Sequence, residues 1–267
     1  HQVKKLTEEN LKDFIKKFNL PVNSKKLNNL DYLKFSKNSR EYKYLVSQRE
    51  KLGGFLPKRV PSKANLNVEN NSHFNEFNDQ SKREMSTTMV FVRLITSLLR
   101  DKKIGKNIVP IVPDEARTFG MDGLFRQFGI YSREGQKYQP EDADKVMWYR
   151  ESEDGVMLEE GINEAGAFSA WIALATSYAN NSLPMIPFYI YYSMFGFQRV
   201  HDLAWAAGDA RARGFLLGAT SGRTTLNGEG LQHQDGHSHL LAQTIPNCKS
   251  YDPCFDYELA TIIKNGI

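Results

Sequence analysis

Three short runs of apolar residues, separated by longer segments with helical spacing, constrain the fold of this 267-residue chain more than any other feature. The runs are IVPIVP at 108–113, MIPFYIYY at 185–192 and FLLGAT at 215–220. Near-continuous apolar runs of this length are typical of parallel strands covered on both faces. Because helical segments lie between them, the sequence predicts an α/β fold with an open, mostly parallel sheet and helices on both faces.

The sequence also predicts where the globular domain begins. Ser86 is a good N-cap, and apolar residues at helical spacing follow it to about Arg100, so we expect a helix there and a domain over 85–267. A further strand is expected near Cys248. Four more helices are expected in the domain, at about 161–178, 197–213, 229–243 and 255–264.

Residues 1–84 are expected to form a linker extension with one short amphipathic helix, which Thr7 would cap. This part carries 18 Lys and Arg against 10 Asp and Glu. Its lysines are dispersed among Asn, Glu and Leu instead of clustering with stacking aromatics, so they do not predict nucleic-acid binding. A solvated basic surface is favoured, with an acidic partner protein as the alternative.

Other features exclude several classes of protein. The longest apolar stretch, 185–197, is interrupted by Pro187, Ser193 and Gly196 and falls short of the roughly 20 residues of a membrane-spanning helix. Two cysteines cannot build a disulfide framework, which favours a cytoplasmic protein. A chain that begins at His1 with a charged segment is expected to be an internal piece of a longer protein.

Polar and aromatic residues follow each predicted strand. Asp114 and Glu115 follow the first, Tyr192 and Phe195 lie at the end of the second, and the segment containing His233 follows the third. Ligands of open α/β sheets bind at the carboxyl ends of the strands. The sequence therefore predicts a functional site at this edge of the sheet.

Long strings in these segments resemble one known family. They include DEARTFGMDGLFRQFGIYS, EEGINEAGA, MIPFYIYYSMFGFQR and AAGDARARGFLLGATSGRTTLNGEGLQHQDGHSH. From about residue 86 to 267 the chain resembles the pyrimidine-binding domain of the bacterial homodimeric pyruvate dehydrogenase component, a decarboxylating, thiamine-diphosphate-dependent enzyme. The resemblance implies that a domain with the diphosphate and magnesium ligands precedes His1, and that a C-terminal domain follows Ile267.

The resemblance assigns the pyrimidine ring of thiamine to three residues. Glu164 would bind a ring nitrogen and favour the tautomer whose amino group deprotonates the thiazolium carbon. Ile162 would wedge between the two rings of the cofactor, and Phe195 would lie against the pyrimidine face. From the residues alone, the favoured explanation of Glu164 is a first-turn glutamate that the helix dipole stabilises.

The resemblance also implies the residues around the substrate. Tyr192 would face it, while His233, with Glu229 close by, would contact the substrate carboxylate and transfer protons. Further candidates are the acidic pair near the substrate entry and a loop histidine that assists acetyl transfer: Asp114, Glu115 and His1. For Asp114 and Glu115 a solvated acidic turn, paired with Arg117, is the alternative.

The activity implied is the decarboxylation of pyruvate and the reductive transfer of its acetyl group to a lipoyl domain of dihydrolipoamide acetyltransferase. The parent protein would be a homodimer with thiamine diphosphate and Mg²⁺. Two other functions stay open from the residues. A metal-dependent hydrolase could use His233, His237 and His239, although a helix would place only the first two on one face. A non-enzymatic α/β binding module is the third possibility.

Overall fold

The computed structural model describes residues 6–23, 27, 32–55, 65–66, 68, 72–77, 84–114, 116–141, 149–219 and 230–267. The chain divides into two compact units, residues 1–60 and 61–267. Among the described residues, no helix combines the length and the apolar character needed to cross a bilayer.

The first unit contains two helices, α1 (Glu8–Lys17) and α2 (Arg40–Lys51). The predicted cap of α1 is confirmed, since the Thr7 hydroxyl accepts a hydrogen bond from the Asn10 N–H and the Asn10 side chain accepts one from the Thr7 N–H. Acidic residues begin α1 and lysines end it, which complements the helix dipole. Helix α2, capped by Ser39, was not expected from the sequence, because its apolar residues are few.

The second unit contains a four-stranded parallel sheet with the strand order β4-β1-β5-β6 and a small parallel pair, β2-β3. Its elements in chain order are α3 (Ser72–Asn75), α4 (Thr87–Leu99), β1 (Ile108–Val112), α5 (Asp122–Phe128), β2 (Ile130–Tyr131), β3 (Glu151–Ser152), β4 (Leu158–Glu159), α6 (Glu164–Asn180), β5 (Ile186–Tyr192), α7 (Phe197–Asp209), β6 (Phe215–Ala219), α8 (Ser238–Gln243) and α9 (Asp256–Gly266).

Helices cover both faces of the sheet, as the sequence predicts. On one face Phe188 of β5 stacks on Phe215 of β6 with 4.5 Å between ring centroids and packs against α4 and α9. On the other face Tyr189 and Tyr191 pack against α6 and α7. Alternating side chains of one buried strand thus enter two separate cores, which explains why its sequence is apolar throughout.

Two predicted elements are wrong. No strand forms near Cys248, and a cavity of about 830 Å³ lies between β6 and the segment 247–253. The described part of 229–243 is not one helix but a short 3-10 turn, Leu231–His233, followed by α8. Gly230 has a φ of 78°, and the Asp235 side chain accepts hydrogen bonds from the N–H groups of His237 and Ser238, so the chain turns before α8 begins.

The segment before α4 belongs to the second unit and packs against it. Phe74 and Phe77 are buried in the same core as α4. The His73 ring bonds to the Ser97 hydroxyl through Nδ1 and to the Asp101 carboxylate through Nε2, both at 2.8 Å. A domain boundary at residues 84 and 85 stays a prediction.

Replacing the carboxylate that binds His73 should lower stability at neutral pH. Asp101→Asn is expected to reduce the free energy of unfolding by about 1–3 kcal/mol, because a charge-assisted hydrogen bond to a side chain only 13% exposed is lost. Urea denaturation of both proteins measures the difference, and exposed Asp154→Asn is the control. An unchanged unfolding midpoint would contradict the expectation.

The effect of Asp101→Asn should depend on pH. The hydrogen bond with His73, followed by those from the N–H groups of Ile104 and Lys103, lowers the pKa of Asp101 to about 2. As the pH falls, the Asp101 carboxylate takes up a proton near pH 4 in the unfolded chain but not in the folded chain. The stabilisation is therefore complete above pH 4 and disappears as the pH falls through 2, so the two proteins should converge there.

Candidate functional site

The parallel sheet brings the predicted site residues to one edge. β1 and β5 are neighbours, so Asp114, two residues beyond β1, and Tyr192, the last residue of β5, lie at adjacent carboxyl ends. Phe195 follows in the 3-10 turn Ser193–Phe195. Glu164 is the first residue of α6, which follows β4 on the other side of β1.

Four aromatic side chains form a cluster at this edge. The ring centroids of Tyr192 and His233 are 5.3 Å apart, and those of Phe195 and His233 are 5.5 Å apart. Tyr192 also contacts Phe119, with 5.2 Å between centroids. The structure therefore brings Tyr192, Phe195 and His233 together from two separate segments, and it adds Phe119, which sequence reasoning missed.

Glu164 projects from the first turn of α6 and is 13% exposed. The Asn163 side chain caps this helix by accepting a hydrogen bond of 3.0 Å from the Gly166 N–H. The Glu164 carboxylate forms an ion pair with Arg199 of α7. The helix N-terminus and Arg199 together fix the orientation of this carboxylate at the edge of the site.

Arg199 connects the carboxylate with the aromatic cluster, and sequence reasoning missed it. Its guanidinium carbon lies 4.2 Å from the centroid of the Phe195 ring, a cation–π contact, while the same group binds Glu164. Its sequence signal is an arginine four residues after Phe195, at the end of the aromatic string MIPFYIYYSMFGFQR.

A hydrogen-bond network anchors the segment that carries His233. Ser238 Oγ donates to the backbone oxygen of Ser193, just after β5, at 3.1 Å. Burial alone would raise the pKa of Asp235, but hydrogen bonds to its carboxylate, among them those from the N–H groups of His237 and Ser238, lower it. An ionised Asp235 thus binds the N–H groups at the start of α8, and Ser238 ties the histidine segment to the residue that follows β5.

Burial controls the ionisation of other groups near this edge. It raises the pKa of the Tyr189 phenol, an effect that Tyr191 and then Glu164 increase and Arg199 opposes. Burial also raises the pKa of Glu159 at the end of β4, and the Asp114 carboxylate raises it further. The tyrosines are therefore neutral at physiological pH, and Asp114 has an acidic neighbour.

Ile162 precedes Glu164 by two residues and is 79% exposed, although its side chain is wholly apolar. An apolar side chain in this position is available to contact a ligand held by Glu164. His1, Glu115 and Glu229 lie outside the described residues, so their predicted roles stay predictions.

The histidines of HQDGHSH do not converge. His239 Nδ1 bonds to the Ser250 hydroxyl, whereas His233 lies against Tyr192 and Phe195. Within the described ranges, no three His, Cys, Asp or Glu side chains are grouped so that they could hold a metal ion. The hydrolase hypothesis therefore gains no support from this geometry.

The arrangement can bind a flat heterocycle that carries a hydrogen-bond donor. An anionic carboxylate can accept from a ring nitrogen, an aromatic face can stack on the ring, and an exposed apolar residue can cover its other side. The Tyr192 and His233 side chains contact the Phe195 ring, and their hydroxyl and imidazole groups can exchange protons with a second, reacting molecule.

Comparison with known proteins gives one consistent family. The model of the pyruvate dehydrogenase E1 component middle domain matches residues 67–267. The whole chain aligns with proteins named pyruvate dehydrogenase E1 component: it is 59% identical to that of Pseudomonas aeruginosa, 56% to that of Cupriavidus necator and 54% to that of Escherichia coli K12. It spans 30% of the length of each of these relatives. The family model covers most of the chain and the relatives cover all of it, and so the chain belongs to the pyruvate dehydrogenase E1 component middle domain family.

Proposed function

We propose that this chain is the pyrimidine-binding part of a thiamine-diphosphate-dependent pyruvate dehydrogenase. The parent protein decarboxylates pyruvate and reductively acetylates the lipoyl group of dihydrolipoamide acetyltransferase. One observation carries the proposal: the Glu164 carboxylate and the Phe195 ring are held by the same arginine, Arg199, at the carboxyl edge of a parallel sheet. The names of the relatives agree with this reaction.

Three residues fit the aminopyrimidine ring of thiamine. Glu164 accepts a hydrogen bond from a ring nitrogen, Phe195 stacks on the ring face, and Ile162, which is exposed, covers apolar atoms of the ligand. When bound, thiamine diphosphate supplies an electron sink for the decarboxylation of a 2-oxo acid. The diphosphate and Mg²⁺ are held by residues of the parent protein outside this chain.

The protein side chains have separate tasks. Arg199 binds Glu164 through Oε1, which leaves Oε2 able to accept a hydrogen bond from the ring nitrogen, where it would hold a proton. Tyr192 and His233 both contact Phe195. We assign them to the substrate, to which the hydroxyl donates a hydrogen bond and the imidazole transfers a proton. We assign Asp114, Glu115 and Glu229 to the same substrate side.

The partners follow from the same proposal. The parent protein is a homodimer, and one lipoyl domain of the acetyltransferase core enters the site for each turnover, with His1 assisting acetyl transfer. A cytoplasmic location agrees with Cys248 and Cys254, which form no disulfide.

The reaction is tested with the full-length protein. Thiamine diphosphate, Mg²⁺, pyruvate and a lipoyl domain are supplied, and released CO₂ and the mass of the acetylated lipoyl domain are measured. Omission of each cofactor and replacement of pyruvate by 2-oxoglutarate are the controls. Absence of pyruvate-dependent CO₂ release with both cofactors present would contradict the proposed function.

The isolated 267-residue chain should bind the cofactor weakly and turn over no pyruvate. Because the diphosphate and metal ligands lie outside it, we expect a Kd for thiamine diphosphate no better than about 1 mM, equivalent to about −4 kcal/mol. Calorimetry with and without Mg²⁺ measures this, and the full-length protein is the positive control. Micromolar, magnesium-dependent binding by the chain alone would mean that a complete site is encoded here.

A further inference from the structure

The turn that carries Phe195 is followed by a glycine whose missing side chain makes room for a tyrosine ring. Gly196 lies directly between the 3-10 turn Ser193–Phe195 and α7. A Cβ atom at Gly196 would lie 2.6 Å from both Cδ2 and Cζ of Tyr191 in β5, and it would overlap Cε2 of the same ring. Carbon atoms that are not bonded to each other pack at about 3.5–4.0 Å. The Tyr191 ring therefore occupies the space that a side chain at position 196 would need.

The Tyr191 ring is held in place by the core behind it. It is 5% exposed and stacks on the Tyr189 ring with 4.8 Å between ring centroids. Tyr189 is fully buried and meets the Phe168 ring of α6 edge to face, with 5.2 Å between centroids. A close-packed core cannot accept an added methyl group without shifts of side chains or backbone. A side chain at position 196 would consequently displace the turn, because the ring has no space to move into.

The other end of the turn is held equally closely. Gly218 of β6 is in register with Tyr191, and a Cβ atom at Gly218 would lie 2.7 Å from Cβ of Ser193. The Ser238 hydroxyl also donates to the Ser193 oxygen at 3.1 Å. Phe195 thus lies between two points at which the backbone of the turn is fixed.

Gly196 also connects this turn with the arginine that binds Glu164. Its carbonyl oxygen accepts hydrogen bonds from the N–H of Arg199 at 2.9 Å and from the N–H of Val200 at 3.1 Å. The Phe195 ring and the Arg199 guanidinium group, on either side of Gly196 in the chain, meet in the cation–π contact. A shift of the Gly196 backbone would therefore move both groups.

We propose that Tyr191 and Gly196 are positioning residues of this site: the buried ring lies where a side chain at position 196 would be, and this contact fixes Phe195 and Arg199. The inference rests on the proposed function for what those two residues bind. It gives a task to a buried tyrosine of β5 that acts on the site through the backbone of the turn.

The test uses Gly196→Ala, Tyr191→Val and the double variant in the full-length protein. Valine ends at Cγ, so it removes all three ring atoms that the alanine methyl group would meet. We expect Gly196→Ala to raise the Kd for thiamine diphosphate about tenfold, because the stacking of Phe195 and the ion pair of Arg199 are both disturbed. The double variant should recover binding to within about threefold of the unsubstituted protein, since two residues in contact have coupled effects.

Calorimetry in the presence of Mg²⁺ measures the Kd, and thermal unfolding measures the stability of each protein. Gly196→Ala should also lower the melting temperature, and the double variant should regain part of that loss. Gly123→Ala is the matched control. Gly123 is exposed in α5, and a Cβ atom there would meet nothing within 4 Å, so neither the Kd nor the melting temperature should fall.

Two results would overturn the inference. The first is an unchanged Kd for folded Gly196→Ala, because a merely structural clash lowers the melting temperature and leaves binding intact. The second is a double variant that folds and binds no better than Gly196→Ala, including the case in which neither protein folds. If the unsubstituted protein binds no thiamine diphosphate, the proposed function fails instead. Melting temperatures then decide the inference: additive losses overturn it, and recovery in the double variant supports it.

Discussion

Glu164→Gln in the full-length protein is expected to slow the enzyme-catalysed exchange of the proton on the reactive carbon of thiamine by about 100-fold or more. A neutral amide cannot make the charge-assisted hydrogen bond to the ring nitrogen that a carboxylate makes. Loss of the Glu164 carboxylate also leaves Arg199 without this ionic partner. Hydrogen–deuterium exchange followed by quenching and NMR measures the rate directly.

A matched control separates this role from a helix-dipole role. Glu160 has the same side chain, lies four residues earlier and is exposed, so Glu160→Gln should leave the exchange rate unchanged. If Glu164 merely stabilised the N-terminus of α6, its substitution would lower the melting temperature by a small amount and leave exchange intact. An unchanged exchange rate in Glu164→Gln would falsify its assignment.

His233→Ala should lower kcat on the order of 100-fold with little change in thiamine diphosphate affinity. Its imidazole lies against Tyr192 and Phe195. In the proposed function it faces the substrate, whereas Glu164 and Phe195 would bind the pyrimidine. His239→Ala is the companion variant. Because His239 is exposed and bonds to Ser250, we expect it to lower the free energy of unfolding by about 1 kcal/mol with near-normal kcat.

Turnover numbers and melting temperatures of the two histidine variants decide between two hypotheses. His233→Ala should keep its melting temperature and have a low kcat, whereas His239→Ala should be slightly less stable with a near-normal kcat. An equal loss of activity in both, with unchanged melting temperatures and one equivalent of bound metal in the unsubstituted protein, would favour the metal-dependent hydrolase instead.

Local signals in the sequence were sufficient for most elements. The apolar runs predicted β1, β5 and β6 because a strand covered on both faces has no polar side. The caps predicted α1 and α4 because Thr7 and Ser86 satisfy helix N–H groups within three residues. The prediction was wrong around 229–243. The spacing of apolar and polar residues there predicted one helix, but the left-handed Gly230 and the Asp235 side chain turn the chain before α8.

The sequence by itself determined the α/β class, the main strands, the family resemblance and the candidates Glu164, Phe195, Tyr192 and His233, because each is encoded in contiguous residues. Only the tertiary structure decided that Arg199, 35 positions after Glu164, binds its carboxylate and covers Phe195. Ion pairs and hydrogen bonds depend on distances through space, and the packing of helices on the sheet determines those distances.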